Sequence, residues 1–257
     1  MRRSLIGLIA LGLSVALVAP ASAYKSKKGI EGGTIAGVVK FDGTPPAPMK
    51  LEVNKNPEVC GKKPIFDESL VVGEDGGIRW AVARLIDIKS GKKWSKKVWG
   101  KKKAVIDQNG CFFSPHVLLL KRKRSLTILN NDGLLHNFHS FPETNKGVNR
   151  AQPKFLKKMT LKGKKYFSKP EILTVKCDVH SWMKGVVVVA EHPYYAVTGA
   201  DGKFELTRVP PGEYKLEIWH ETLGKAKADV TIADDGSSEP VAVKMSEKKK
   251  TSRRRRR

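Results

Sequence analysis

Apolar positions along this chain come in short runs rich in Val, Ile, Leu and Phe, punctuated by Gly, Pro, Asn and Asp. Polar and apolar residues alternate within many of the runs, the pattern of strands with one face in a core. After residue 23 no stretch keeps a long helical period, so the sequence predicts an all-β fold. Strands are expected over Gly33 to Gly43, where the strand closes on a turn, and over Ile78 to Ile88, Ala104 to Asp107, Cys111 to Leu120, Ser125 to Asn130, His136 to Phe141, Ile172 to Lys176 and Gly185 to Ala190. Ala196 to Leu206 alternates around a Gly-Ala-Asp-Gly turn and reads as a hairpin, and Val209 to Ile218 as a further turn and strand. Thr44 to Pro48 is a Pro-rich break. Ser90 to Lys103 is a lysine-rich connection whose Trp94 and Trp99 suit packing, and residues 142–171 are a basic stretch without a clear pattern.

The punctuation divides the chain into β segments at 24–103, 104–192 and 193–245, followed by a basic tail at 246–257. Residues 1–23 differ. Arg2 and Arg3 precede an apolar stretch, Leu5 to Val18, and Ala21-Ser22-Ala23 fits a small-x-small cleavage site. The stretch is short for a spanning helix. A cleaved signal peptide and a periplasmic or other extracytoplasmic location are expected, a retained membrane anchor being the alternative.

Charge changes the picture of partners. With 49 Lys and Arg against 25 Asp and Glu, the formal net charge is +24. Such a surface attracts anionic surfaces and speeds encounter with acidic proteins at low salt. Export makes nucleic acid an unexpected partner. An acidic redox protein such as a c-type cytochrome, or an anionic envelope lipid or polymer, is expected instead; a merely solvated basic surface is the plainer reading.

The candidate chemistry lies in TVKCDVHSWMKGVVVVA, residues 174–190. Cys177, His180 and Met183 follow a C-x2-H-x2-M spacing on one short turn between two strands. A thiolate, an imidazole and a thioether form a soft donor set suited to copper. A second imidazole is offered by His136, in NNDGLLHN. The expected trigonal plane is His136, Cys177 and His180, with Met183 as the weak axial ligand of one type 1 copper ion per chain.

NNDGLLHNFHSF and CDVHSWMKGVVVV resemble the two ligand segments of cupredoxins, the blue copper proteins, and the short loop is similar to that of amicyanins more than to the longer one of plastocyanins. The resemblance covers roughly residues 104 to 191. It implies a Greek-key β-sandwich, one-electron transfer, and a bracing role for Asn130 through hydrogen bonds to the ligand loop. Where cupredoxins often have a Lys-x-Gly turn, this chain has Lys121-Arg122-Lys123-Arg124-Ser125. The DG-x-F and PPG-x-Y patterns at Asp201 to Phe204 and Pro210 to Tyr214 are similar to carboxypeptidase regulatory-like domains, small transthyretin-like β-sandwiches. That family's opening, G-x-I-x-G-x-V, stands at Gly33 to Val39. One such sandwich split by the central module, or three β units in tandem, would both accommodate this.

If Cys177 binds metal, Cys60 and Cys111 remain. In an oxidising compartment a disulfide is expected; a second metal site from Cys60, Cys111 and His116 is the alternative. His139 lies an odd number of positions from His136 and should face away from it. His192 and His220 have no clustered partners. No second catalytic constellation is visible, so an electron carrier is expected and an enzyme is not. His180 should offer the electron its exit at a surface edge, inside an apolar collar of Trp182, Leu134 and Leu135. A copper-delivery protein, or a structural envelope module with accessory copper, are the rival readings.

Overall fold

The computed structural model describes residues 24–95, 99 and 104–247. The expected signal segment, residues 248–257 of the tail and most of the second half of the lysine-rich connection lie outside the described residues. In chain order the elements are β1 (Lys25–Ser26), β2 (Gly33–Phe41), α1 (Pro57–Cys60), β3 (Val82–Ile86), β4 (Ser90–Gly91), β5 (Ala104–Gln108), β6 (Phe113–Ser114) and β7 (Val117–Lys121). They continue with β8 (Leu126–Asn130), β9 (His136–Phe141), β10 (Val148–Gln152), β11 (Lys158–Leu161), α2 (Gly163–Tyr166), β12 (Glu171–Lys176) and β13 (Lys184–Ala190). The last are β14 (Tyr195–Val197), β15 (Lys203–Val209), β16 (Gly212–His220), β17 (Gly224–Ile232) and β18 (Val241–Met245). The fold is all-β, as the alternation predicts.

The strands form two sandwiches. The inner one uses β5 to β13: a five-stranded sheet β10-β9-β12-β13-β7 faces a four-stranded sheet β11-β8-β5-β6. Ile106, Phe113, Leu126, Ile128, Phe138, Leu173 and Val187 fill the space between them. The outer one draws on both ends of the chain. Strand β3 lies between β14 and β16 in one sheet, and β2 lies between β15 and β18 in the other. Ile35, Leu85, Phe204, Leu216, Ile218 and Ile232 are among its core residues. The N-terminal and C-terminal β segments therefore share both outer sheets.

The valine run has a physical reason. Val187 and Val189 point into the inner core, whereas Val186 and Val188 join Val82, Val117, Trp99 and Tyr195 in a second apolar cluster against the outer sandwich. Strand β13 is buried on both faces, and such a strand is apolar at successive positions. Burying each of these side chains contributes about 1.5–3 kcal/mol. Trp94 and Trp99 meet edge to face at 4.6 Å at this junction, as packing groups. At its rim Glu221 of the β16–β17 turn binds both His116 and Lys184 of the inner sandwich.

Several expected elements are corrected. Ile78 to Ile88 is not one strand, because Trp80 and Asp87 take φ of 66° and 62° and confine β3 to the residues between. Cys111 to Leu120 divides into β6 and β7 around Pro115, which has no N–H to give a ladder. Residues 196–206 are not a hairpin. Strand β14 pairs with β3 and β15 with β2, so the Gly199–Gly202 turn arches from one outer sheet to the other. Gly202, at φ 73°, passes so close to Val39 O that a Cβ would sit 2.3 Å from it. The basic stretch 142–171 contains β10, β11 and α2.

Candidate metal centre

The candidate ligand loop is closed at its neck. Antiparallel pairing brings Lys176 of β12 opposite Lys184 of β13, leaving residues 177–183 as the connection. Within it Cys177 N–H donates to Met183 O at 3.1 Å, and Met183 N–H to His180 O at 3.0 Å. Strand β9 pairs with β12 on the other side, His139 opposite Lys176. This register sets His136, the first residue of β9, against the loop. Asn137 N–H then points at Cys177 Sγ from 3.4 Å.

Three donor atoms converge. His136 Nδ1 and His180 Nδ1 are 3.0 Å apart, and Cys177 Sγ lies 3.9 Å from the first and 3.7 Å from the second. His136, His180 and Met183 are fully buried and Cys177 nearly so. Met183 follows on the same closed loop. These separations suit one ion bonded to all three donors at about 2.0–2.3 Å, the range of nitrogen and thiolate bonds in comparable first-row sites.

The outer nitrogens fix which ring atoms face inward. His136 Nε2 is 2.8 Å from Asp132 Oδ2, so it donates there and leaves Nδ1 with a lone pair. His180 Nε2 is 3.1 Å from Asn56 Oδ1, with the same consequence. Two imidazole lone pairs facing each other across 3.0 Å repel unless a cation is shared between them. With a thiolate beside them, a soft metal ion meets that need. Asp132 is itself held, accepting Gly110 N–H and Cys111 N–H.

The thiol is prepared for such a bond. Burial opposes its ionisation, but the adjacent His136 and His180 rings and the Asn137 N–H bring the Cys177 pKa down to about 6. Burial alone would lower the His136 pKa, yet the Asp132 carboxylate and the Cys177 sulfur raise it above the ordinary imidazole value. The Asp132 pKa is lowered: burial works against the carboxylate, and the His136 ring and the Cys111 and Gly110 N–H groups outweigh it.

Three of the four sequence candidates, His136, Cys177 and His180, bring their donor atoms together, and Met183 is buried on the same loop. Asp132 and Asn56 escaped sequence reading. Asp132 was in view, four residues before His136 within NNDGLLHN, where an acid near a candidate histidine is a usable signal. Asn56 is 124 residues from His180 and carries none. Asn130 braces the turn before His136 instead of the Cys177 loop: its Nδ2 donates to Leu134 O at 2.8 Å and Gln152 O at 3.0 Å. His139 lies at the surface and pairs with Asp178 through Nδ1 at 3.0 Å.

The expected disulfide forms, and one alternative and one expectation are overturned. Cys60 and Cys111 are joined as a disulfide with Cα atoms 5.4 Å apart, so neither offers a thiolate, and His116 is engaged by Glu221. The alternative second metal site is therefore excluded. The same disulfide disqualifies the cluster of Cys111, Asp132 and His136 as a donor set. Nor does His180 present a surface edge: the ring is buried under Asn56 and lies 5.2 Å from the Trp182 ring. Leu135, in contrast, is 47% exposed.

No family model and no curated protein matches this chain. Among solved structures it is similar to a copper-containing nitrite reductase from Thermus scotoductus SA-01, at 19% identity and a TM-score of 0.28 over 34% of this chain. The match spans 22% of that enzyme. A single-site mutant of amicyanin in its reduced Cu(I) form matches at 19% identity and TM-score 0.30, over 42% of this chain and 98% of that one. A purple cupredoxin from Nitrosopumilus maritimus matches at 21% identity and TM-score 0.27, over 34% of this chain and 100% of that one. The functional reading rests on the side chains themselves.

Proposed function

We propose that this protein is a type 1 copper electron carrier working outside the cytoplasm. One observation supports it above all: two imidazole nitrogens and a low-pKa thiol, all buried, converge within 3.0–3.9 Å where the start of β9 meets the loop that also carries Met183. Copper held there supplies reversible one-electron chemistry. The chain's own residues hold the site's geometry. Asp132 and Asn56 orient the two rings, the β12–β13 neck closes the loop, and the Asn137 N–H supports negative charge on Cys177. Burial of all three donors favours a retained ion over cargo for delivery.

The Cys60–Cys111 disulfide and the Arg2-Arg3 leader support export. Among the described residues no helix is long and apolar enough to cross a membrane. The net charge of +24 favours an acidic redox protein as partner. Voltammetry of the copper-loaded protein tests the carrier reading. A single reversible one-electron wave, lost in Cys177→Ser, is expected; copper that leaves the protein on reduction would refute it.

A further inference from the structure

Residues 49–67 leave outer strand β2 and return toward β3, yet they lie across the inner sandwich. Leu51 N–H donates to Ile65 O at 2.8 Å and Asp67 N–H to Met49 O at 2.9 Å, closing this excursion at its base. Ile65 and Cys60 are buried in the inner core, with Leu51 and Val53 packed against it. The disulfide ties the tip of the excursion, at the end of α1, to Cys111, and Cys111 O accepts the Trp182 Nε1–H at 3.2 Å. One end of the ligand loop and this strap are therefore joined through Cys111.

Asn56 stands at the start of α1 in the left-handed region, φ 50° and ψ 48°. Asn tolerates that conformation better than most residues. Its side chain makes no cap for α1; its Oδ1 instead meets His180 Nε2 at 3.1 Å. The His180 ring is enclosed by Asn56, Trp182 and His136, with no exposed surface.

We propose that Asn56 is a positioning residue for the metal centre, and that the disulfide-tied strap 49–67 is a cover that closes the outer edge of His180 to solvent and to partners. This rests on the copper reading above. By accepting the Nε2 proton, Asn56 holds the ring in the one tautomer that turns Nδ1 inward, and does so from outside the sandwich that carries the ligands. The strap makes ion release depend on its own opening. It also directs a docking protein away from His180, toward the side of the site where Leu135 is exposed.

Two measurements test this. Nitrogen–proton NMR of the wild-type protein, metal-free and with Cu(I), reads the Nε2–H of His180; a slowly exchanging resonance is expected in both forms. Its absence in the metal-free protein would overturn the cover. Release of copper to a strong Cu(I) chelator is then compared among the wild type, Asn56→Gly and Asn56→Asp. Gly keeps the left-handed backbone and removes the acceptor, whereas Asp keeps both. Asn56→Gly should release copper about 10- to 100-fold faster, the usual cost of losing a group that orients a metal-binding histidine, and should lose the protected proton while keeping the visible band. Asn56→Asp should keep the protected proton and release copper no faster than the wild type. Unchanged release and an unchanged proton in Asn56→Gly would contradict the proposal. If the wild type gives no blue copper form, the copper reading fails on its own, and the metal-free proton still decides whether Asn56 holds His180.

Discussion

The two sandwiches bury histidines to opposite effect. In the outer one, His192 and His220 are withdrawn from water and stand apart, and desolvation holds both pKa values down to about 4. In the inner one, His136 is buried as completely, yet its pKa is raised, because a carboxylate stands behind it and a thiol in front. Both rings of the inner pair are also donors on their outer side, to Asp132 and Asn56. Burial by itself makes a histidine neutral and inert. Convergence with a thiol, together with an oriented outer hydrogen bond, is what equips a histidine to serve as a ligand.

The pH dependence of stability exposes this difference most strongly. His192 and His220 have folded pKa values below the unfolded value near 6.5, so the unfolded chain binds more protons as pH falls. Stability that is present above about pH 6.5 is lost toward pH 4, with a slope of up to about 2.7 kcal/mol per pH unit from the two rings together. The raised pKa of His136 has the opposite sign in the metal-free protein, its contribution being present at low pH and lost as pH rises through the folded value. Denaturant titration at several pH values measures the sum. His220→Asn, which keeps an acceptor for the Thr222 N–H now bound at 3.3 Å, should about halve the slope; an unchanged slope would break the comparison.

Packing gives the next effect. Leu216 is fully buried in the outer core. Leu216→Ala should cost about 2–5 kcal/mol of stability, with no change in the visible copper spectrum of the folded protein. A spectral shift would show that the outer core reaches the site through the shared apolar junction. Asp132→Asn acts in the reverse manner: equilibrium copper titration should show about 10- to 100-fold weaker affinity, with the outer sandwich untouched.

The ligand loop was legible because its donors are local: Cys177, His180 and Met183 lie within one turn, and the valine run after them announces a strand buried on both faces. His136 was legible from its segment, NNDGLLHN, which resembles a cupredoxin ligand segment. What failed were relations across the chain. Alternation and a turn at residues 196–206 indicate two strands but cannot tell whether they share a sheet, and here they do not. Strand β10 was hidden because only its ends, Val148 and Gln152, are buried while Asn149, Arg150 and Ala151 face water. Asn56 has a role only once the strap is folded over a ring 124 residues away. The closed edge of His180 is a tertiary property, and the sequence pattern suggested the reverse.

The central claim is that His136, Cys177 and His180, with Met183, hold one copper ion in a thiolate-bound site. The most direct test is the visible and electron paramagnetic resonance spectrum of the purified protein with one equivalent of Cu(II). The account predicts an intense thiolate-to-copper band with a narrow hyperfine splitting, absent in Cys177→Ser. A colourless protein, or an ordinary tetragonal copper spectrum that Cys177→Ser leaves unchanged, would contradict it.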